Sequence, residues 1–179
     1  MAEATRREFT GLLLSATTPS RMTAWDFRFP ALEGGEHDLS AWRGRVLLVV
    51  NTASFCGFTP QYRALQGLHE RFASAGLVVF GVPSDDFNQE SRDQRRIREF
   101  CDAEFGITFP MAGLCRVRGE NAHPFYRWVA AQVGGPRWNF HKYLVGRSGR
   151  DVKGFPSRVE PNSPILLGAI DAALGEPAA

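Results

Sequence analysis

Few side chains of this chain could make and break covalent bonds: three cysteines, four histidines and the carboxylates. Among them Cys56 holds the most telling place. It sits in Asn51-Thr52-Ala53-Ser54-Phe55-Cys56-Gly57-Phe58-Thr59-Pro60, directly after the apolar run Arg45-Val46-Leu47-Leu48-Val49-Val50. A β-branched and leucine run of that length predicts a strand buried in a parallel sheet. Thr59-Pro60 reads as an N-cap followed by proline in the first helical turn. Cys56 is therefore expected in a strand-to-helix loop, where the free N–H groups and dipole of a helix N-terminus favour an anion. The chemistry on offer is that of a thiolate nucleophile. A free cysteine also commonly serves as a small core residue. The place at the carboxyl end of a strand, among Gly, Thr and Pro, favours chemistry.

The elements that must position this thiol follow from hydrophobic periodicity. Trp25-Asp26-Phe27-Arg28-Phe29 alternates as a strand does, Glu33-Gly34-Gly35-Glu36 reads as a turn, and His37-Asp38-Leu39 returns to complete a hairpin. Over residues 60–75, Tyr62, Leu65, Leu68 and Phe72 recur at helical spacing, with Gly76 at the expected stop. Leu77-Val78-Val79-Phe80-Gly81-Val82 is a second buried strand, so strand, helix and strand make a βαβ unit with parallel strands. Residues 92–104 carry Ile97, Phe100 and Cys101 at helical spacing, and Arg92, Arg95, Arg96 and Arg98 read as its solvated face. Asn121 reads as the N-cap of a helix striped by Phe125, Trp128, Val129 and Val133. Residues 141–147 and 151–155 flank Ser148-Gly149 as a β-hairpin. Ser163-Pro164 opens a last helix through Leu174. The sum is an α/β fold of thioredoxin-like layout: a central mixed sheet, helices on both faces and an N-terminal β-hairpin.

Composition bounds the function. At 179 residues and 44% hydrophobic, the chain can bury one well-formed core, assigned to residues 23–179. Residues 1–22 read as an N-terminal extension or a degenerate twin-arginine signal. Thr5-Arg6-Arg7-Glu8-Phe9 precedes Gly11-Leu12-Leu13-Leu14-Ser15-Ala16, but the apolar stretch is short and Glu3 and Glu8 are unwelcome. The expected location is the cytoplasm, or the periplasm if that segment is functional. A net charge of +2 gives no case for nucleic acid. No apolar run approaches the roughly 20 residues that span a membrane. The cysteines are too few for a disulfide scaffold, they form no C-x-x-C pair, and His37, His69, His123 and His141 are scattered. No metal and no cofactor is expected.

A dithiol exchanger of this layout would carry a second cysteine three positions after the first, where this chain has Thr59. What remains is a lone activated thiol in a dithiol fold. That suits peroxide reduction, in which a thiolate attacks one oxygen and becomes a sulfenic acid. At this point the residues match a family. Asn51 to Pro60, Gly81 to Glu90, Phe109-Pro110 and Trp138-Asn139-Phe140 resemble the glutathione peroxidases in their cysteine form, and the resemblance runs from about Trp25 to Leu174. It implies an antioxidant peroxidase for hydrogen peroxide and organic hydroperoxides. It also implies four residues around the peroxide: Cys56 as nucleophile, with Gln89, Trp138 and Asn139 donating hydrogen bonds to thiolate and peroxide oxygens. Two departures stand out. The run Pro83-Ser84-Asp85-Asp86-Phe87-Asn88-Gln89-Glu90 is one residue shorter than is usual, with Asn88 where glycine is common. Phe55 stands where many relatives carry Lys or Arg.

Cys101 resembles the resolving cysteine of those members that form an internal disulfide and are recycled by thioredoxin. Its helical spacing also places it on an apolar face, so the helix would have to unwind locally for the thiols to meet. Cys115 matches no family cysteine and reads as structural. The short segment between Trp128 and Trp138 lacks the extra loop and helix of tetrameric animal relatives, which implies a monomer, or at most a dimer. Thioredoxin is the reductant expected from Cys101, glutathione the one in the family name. Two rival readings use the same thiols: a peroxide sensor that passes oxidation to a partner protein, and a disulfide exchanger, which Thr59 speaks against.

Overall fold

The computed structural model describes residues 22–177. At its centre lies β3 (Val46–Thr52), buried at every position. β4 (Leu77–Pro83) runs parallel to it, with Val46 opposite Leu77 and Thr52 opposite Pro83. On the other side β5 (Lys142–Val145) is antiparallel to β3, and β6 (Val152–Phe155) is antiparallel to β5. The order is β4-β3-β5-β6, the mixed sheet that the pattern predicts.

Because successive strand side chains point to opposite faces, a strand buried throughout must feed two cores. Val46, Leu48 and Val50 pack with Tyr62 and Leu65 of α1 (Gln61–Phe72), Ile97 and Cys101 of α2 (Gln94–Phe105), and Leu166 and Ile170 of α4 (Pro164–Gly175). Leu47 and Val49 face the other way, onto Phe125 and Val129 of α3 (Pro124–Val133) and onto Phe27 and Phe29. Each fully buried side chain of this kind contributes roughly 1.5–3 kcal/mol, which is why β3 can end in an irregular, polar turn and still hold its place.

The local signals were overridden in a few places. The N-terminal hairpin consists only of β1 (Arg28–Pro30) and β2 (Glu36–Asp38). Residues Ala24–Asp26 wind instead into a 3-10 turn, because Thr23 and Asp26 form a capping box. α3 is capped by His123 with Pro124 at its first position, not by Asn121. In the irregular segment 116–119 the amides of Val117 and Arg118 donate to the Asp86 carboxylate. α2 stops where Gly106 enters the left-handed region at φ 58°, its amide turning back to the carbonyls of Cys101 and Asp102. Among the described residues, no helix is long and apolar enough to cross a membrane. The N-terminal extension or signal lies, apart from Met22, outside the described residues.

Candidate active site

β3 ends at Thr52, and one tight turn leads from it into α1. Thr59 does not cap that helix, which begins at Gln61 with Pro60 ahead of it. Its hydroxyl works inside the turn: Oγ1 accepts from the Cys56 amide at 3.0 Å and donates to the Ala53 carbonyl at 2.9 Å. The Thr59 amide donates to the Cys56 carbonyl at 3.0 Å. Braced in this way, the turn points the Phe58 amide at Cys56 Sγ, 3.4 Å away. Cys56 itself is 8% exposed. A buried sulfur that receives a fixed backbone N–H is placed to carry negative charge.

Gln89 approaches from the loop after β4. Asn88 before it sits at φ 55°, a conformation free to glycine and, among other residues, easiest for asparagine. That accounts for asparagine at a position where glycine is common. The Gln89 carbonyl accepts the Phe55 amide at 3.0 Å, tying this loop to the residue before Cys56. Its side-chain Oε1 accepts from Asn139 Nδ2 at 2.9 Å.

Trp138, Asn139 and Phe140 arrive just before β5. Phe140 adopts φ 61°, a costly geometry for a bulky residue. It is held there by its amide donating to the Asn51 carbonyl at 2.6 Å and by its ring, buried edge-on against Tyr62 at 5.3 Å. Asn51 also donates through Nδ2 to the Trp138 carbonyl at 3.0 Å. The twisted backbone sends Asn139 fully inward while Trp138 stays 40% exposed, against the Phe87 ring at 5.2 Å. The fold thus brings Gln89, Asn139 and the Cys56 turn into one hydrogen-bonded unit with Trp138 on its rim.

Trp138 and Phe58 line a groove of about 630 Å³, together with Val133, Arg137, His141 and Arg158. Among the described residues neither arginine enters an ion pair. Burial, with Lys142 and Arg137 nearby, pushes the His141 ring down to about 4, so the ring is neutral near pH 7. The groove therefore joins an apolar floor to two available guanidinium groups.

Cys101 lies in the same core cluster as Cys56 but is fully buried. Burial pushes its thiol up to about 11, only partly offset by the Tyr62 hydroxyl. Phe100 beside it meets Phe55 beside Cys56, with ring centroids 6.5 Å apart. Arg98 fastens this end of α2. It bonds Asp102 one turn on, donates to the Ile107 carbonyl at 2.9 Å and pairs with Glu33 at 3.3 Å. Burial pushes the Cys115 thiol up to about 12, in keeping with a structural part.

Sequence reasoning did not single out the Phe58 amide, the Thr59 strut or Lys142. Backbone donors leave no mark in a sequence. Lys142 left one, a lysine leading the apolar run Tyr143-Leu144-Val145.

Comparison with known proteins places this geometry. The glutathione peroxidase family model matches residues 24–130. A hydroperoxy fatty acid reductase of Synechocystis sp. is 40% identical over 158 residues, covering 82% of this chain and 94% of that protein. A glutathione peroxidase-like peroxiredoxin of Schizosaccharomyces pombe is 38% identical, covering 72% and 85%. Among solved structures, the apo form of Trgpx superposes with a TM-score of 0.73 at 33% identity, covering 89% of this chain and all of that one. A thiol:disulfide interchange protein of the thioredoxin family from Chlorobium tepidum shares the fold, with a TM-score of 0.65 at 17% identity.

Proposed function

Because this chain belongs to the glutathione peroxidase family, we propose that its peroxide chemistry runs through Cys56. The protein is a thiol peroxidase that reduces hydroperoxides at the expense of thiol reductants. The thiolate of Cys56 attacks the terminal peroxide oxygen. The O–O bond breaks, the sulfur becomes a sulfenic acid, and the alcohol or water leaves with a proton. The observation that carries this assignment is the braced turn that directs the Phe58 amide at Cys56 Sγ at the edge of the groove. The donors to the peroxide oxygens are Gln89 Nε2 and the Trp138 indole N–H. Asn139, one of whose Nδ2 hydrogens is engaged by Gln89 Oε1, acts by orienting that glutamine.

Cys101 resolves the sulfenic acid. Its thiol displaces the hydroxyl from Cys56, water is released and a Cys56–Cys101 disulfide forms. Thioredoxin, rather than glutathione, returns this disulfide to two thiols, and the working unit is a monomer. The end of α2 opens to let Cys101 travel, since a disulfide needs its Cα atoms within about 7 Å. Organic hydroperoxides enter along the groove, whose apolar floor and two unpaired arginines suit an acid-headed chain. The Synechocystis relative is named for such a substrate. The test is a coupled assay with thioredoxin and with glutathione, on wild type and Cys56→Ser. Turnover with thioredoxin that vanishes in Cys56→Ser supports the reading. Peroxidase activity in the serine variant rules it out.

A further inference from the structure

β5 opens with a residue that a sheet interior rarely accepts. Lys142 is fully buried, between Val50 on β3 and Phe155 on β6 in the strand register. Lysine is almost never buried to this extent unless paired, because stripping water from an ammonium is costly. Yet among the described residues Lys142 enters no ion pair. Its Nζ donates to Gln61 Oε1 at 2.6 Å and to the Ser157 carbonyl at 3.2 Å. Gln61 closes the ring, donating through Nε2 to the same carbonyl at 2.8 Å and to Glu160 Oε1 at 3.1 Å.

Three parts of the site meet at that ammonium. Gln61 is the first residue of α1, and its amide donates to the carbonyl of Phe58, the residue whose own amide faces Cys56 Sγ. Ser157 belongs to the wall of the groove. Lys142 itself follows Trp138-Asn139-Phe140 after a single intervening residue. Moreover, the ammonium stands at the positive end of the α1 dipole, an unfavourable place for a cation and a favourable one for raising the potential felt by an anion in the preceding turn.

We propose that Lys142 is a positioning residue of the peroxide site. Its buried ammonium pins the head of α1 to the Ser157 wall and supports negative charge on Cys56 from behind. This rests on Cys56 being the nucleophile. The consequence is a peroxidase tuned by the protonation of a lysine that never touches substrate. Burial pushes Lys142 down to about 7, against the upward pull of Glu160. The ammonium is therefore present below about pH 7 and lost as pH rises through it. The groups around it leave Glu160 as the one acidic influence: Gln61 and Ser157 are uncharged, Val50 and Phe155 are apolar, and neighbouring His141 is neutral. Arg158, beside Ser157, is exposed.

The test is the second-order rate constant for oxidation of Cys56 by hydrogen peroxide, measured from pH 5.5 to about 9 in the full chain. Wild type should show an inflection near 7 that Lys142→Met lacks, and the methionine variant should react about tenfold more slowly at pH 6, the fold-change of one pKa unit. Lys142→Arg keeps the charge at all these pH values, so it should restore the rate and remove the inflection. Glu160→Gln changes an exposed residue and should move the inflection to lower pH. A folded Lys142→Met with the wild-type rate and profile overturns the proposal. If neither Lys142 variant folds, Glu160→Gln decides alone: a shifted inflection supports the role and an unchanged profile overturns it. Cys56→Ser, run beside them, separates the two levels. Its inactivity with no effect at Lys142 removes only the lysine's role, whereas its activity removes the assignment of the nucleophile.

Discussion

The turn around Cys56 and the end of α2 around Cys101 treat the same side chain in opposite ways. Cys56 stands in irregular backbone, braced by a threonine hydroxyl, with an amide aimed at its sulfur from Phe58, which lines an open groove. Cys101 stands in a regular helix, fully buried, with a thiol pushed up to about 11 by that burial. The first environment aims a backbone donor at its sulfur; the second, by burial, raises the cost of charge on it. The contrast implies an order of events. In the proposed cycle a thiol so buried waits for its helix to give way, so oxidation is expected to come first and resolution second. The two environments nevertheless touch, ring to ring, through Phe55 and Phe100. A change in the Cys56 turn has a short path to the helix that carries Cys101.

The sharpest way to break this contrast is to remove the first sulfur. Cys56→Ser should abolish peroxide reduction, since a serine hydroxyl is not an anion near neutral pH and oxygen is a poor nucleophile toward peroxide; stopped-flow consumption of peroxide measures it. Cys101→Ser should divide the two halves of the cycle. Its first oxidation should keep the wild-type rate while sustained turnover with thioredoxin is lost. Mass spectrometry should then find Cys56 two oxygens heavier under excess peroxide, where wild type shows a peptide pair joining Cys56 to Cys101. A pair that involves Cys115 instead would overturn the assignment of Cys101 as the resolving thiol.

Trp138→Phe probes the first environment more gently. It keeps most of the apolar volume and deletes one N–H donor. Oxidation should slow on the order of 10²-fold, as when a preorganised donor is lost from an oxyanion hole. An unchanged rate would leave Trp138 as a packing residue of the groove. Arg98→Gln probes the second environment. It releases the pairings with Asp102 and Glu33 and so loosens the last turn of α2. Disulfide formation after oxidation should quicken a few-fold, with the oxidation step itself untouched. A slower disulfide would mean that Arg98 guides Cys101 rather than restraining it.

Much of this was legible in the residue pattern. The two apolar runs at 46–52 and 77–83 announce parallel buried strands because nothing polar interrupts them, and Cys56 falls where their loop must lie. The four-residue set follows from motif resemblance, not periodicity, since Cys56, Gln89 and the pair Trp138-Asn139 come from three segments that only the fold unites. Local cues misled where short-range hydrogen bonds competed with the pattern. Thr59 has the composition of a cap, but its hydroxyl finds the Cys56 amide first. The alternation of Trp25 to Phe29 suggests a strand, but Thr23 and Asp26 close a turn over its first half. Burial of Lys142 left only a faint mark, a lysine leading an apolar run, because a lysine at the start of a strand ordinarily faces water. Only the converging partners Gln61 and Ser157 show that it does not.

The hydrogen bond from Asn139 Nδ2 to Gln89 Oε1 has a consequence for the sign of the site. A primary amide has a donating end and an accepting end, nearly alike in shape and opposite in polarity. By occupying the accepting end of Gln89, Asn139 leaves the Nε2 hydrogens as the face that this glutamine can turn outward. The choice is made by a neighbour with no other partner for its own oxygen, which is buried and unsatisfied. An aspartate in place of Asn139 would fit the same volume and ask for the opposite arrangement, drawing Nε2 inward and turning the carbonyl outward. A site that attracts electrons would become one that repels them, through the rotation of a single amide by half a turn.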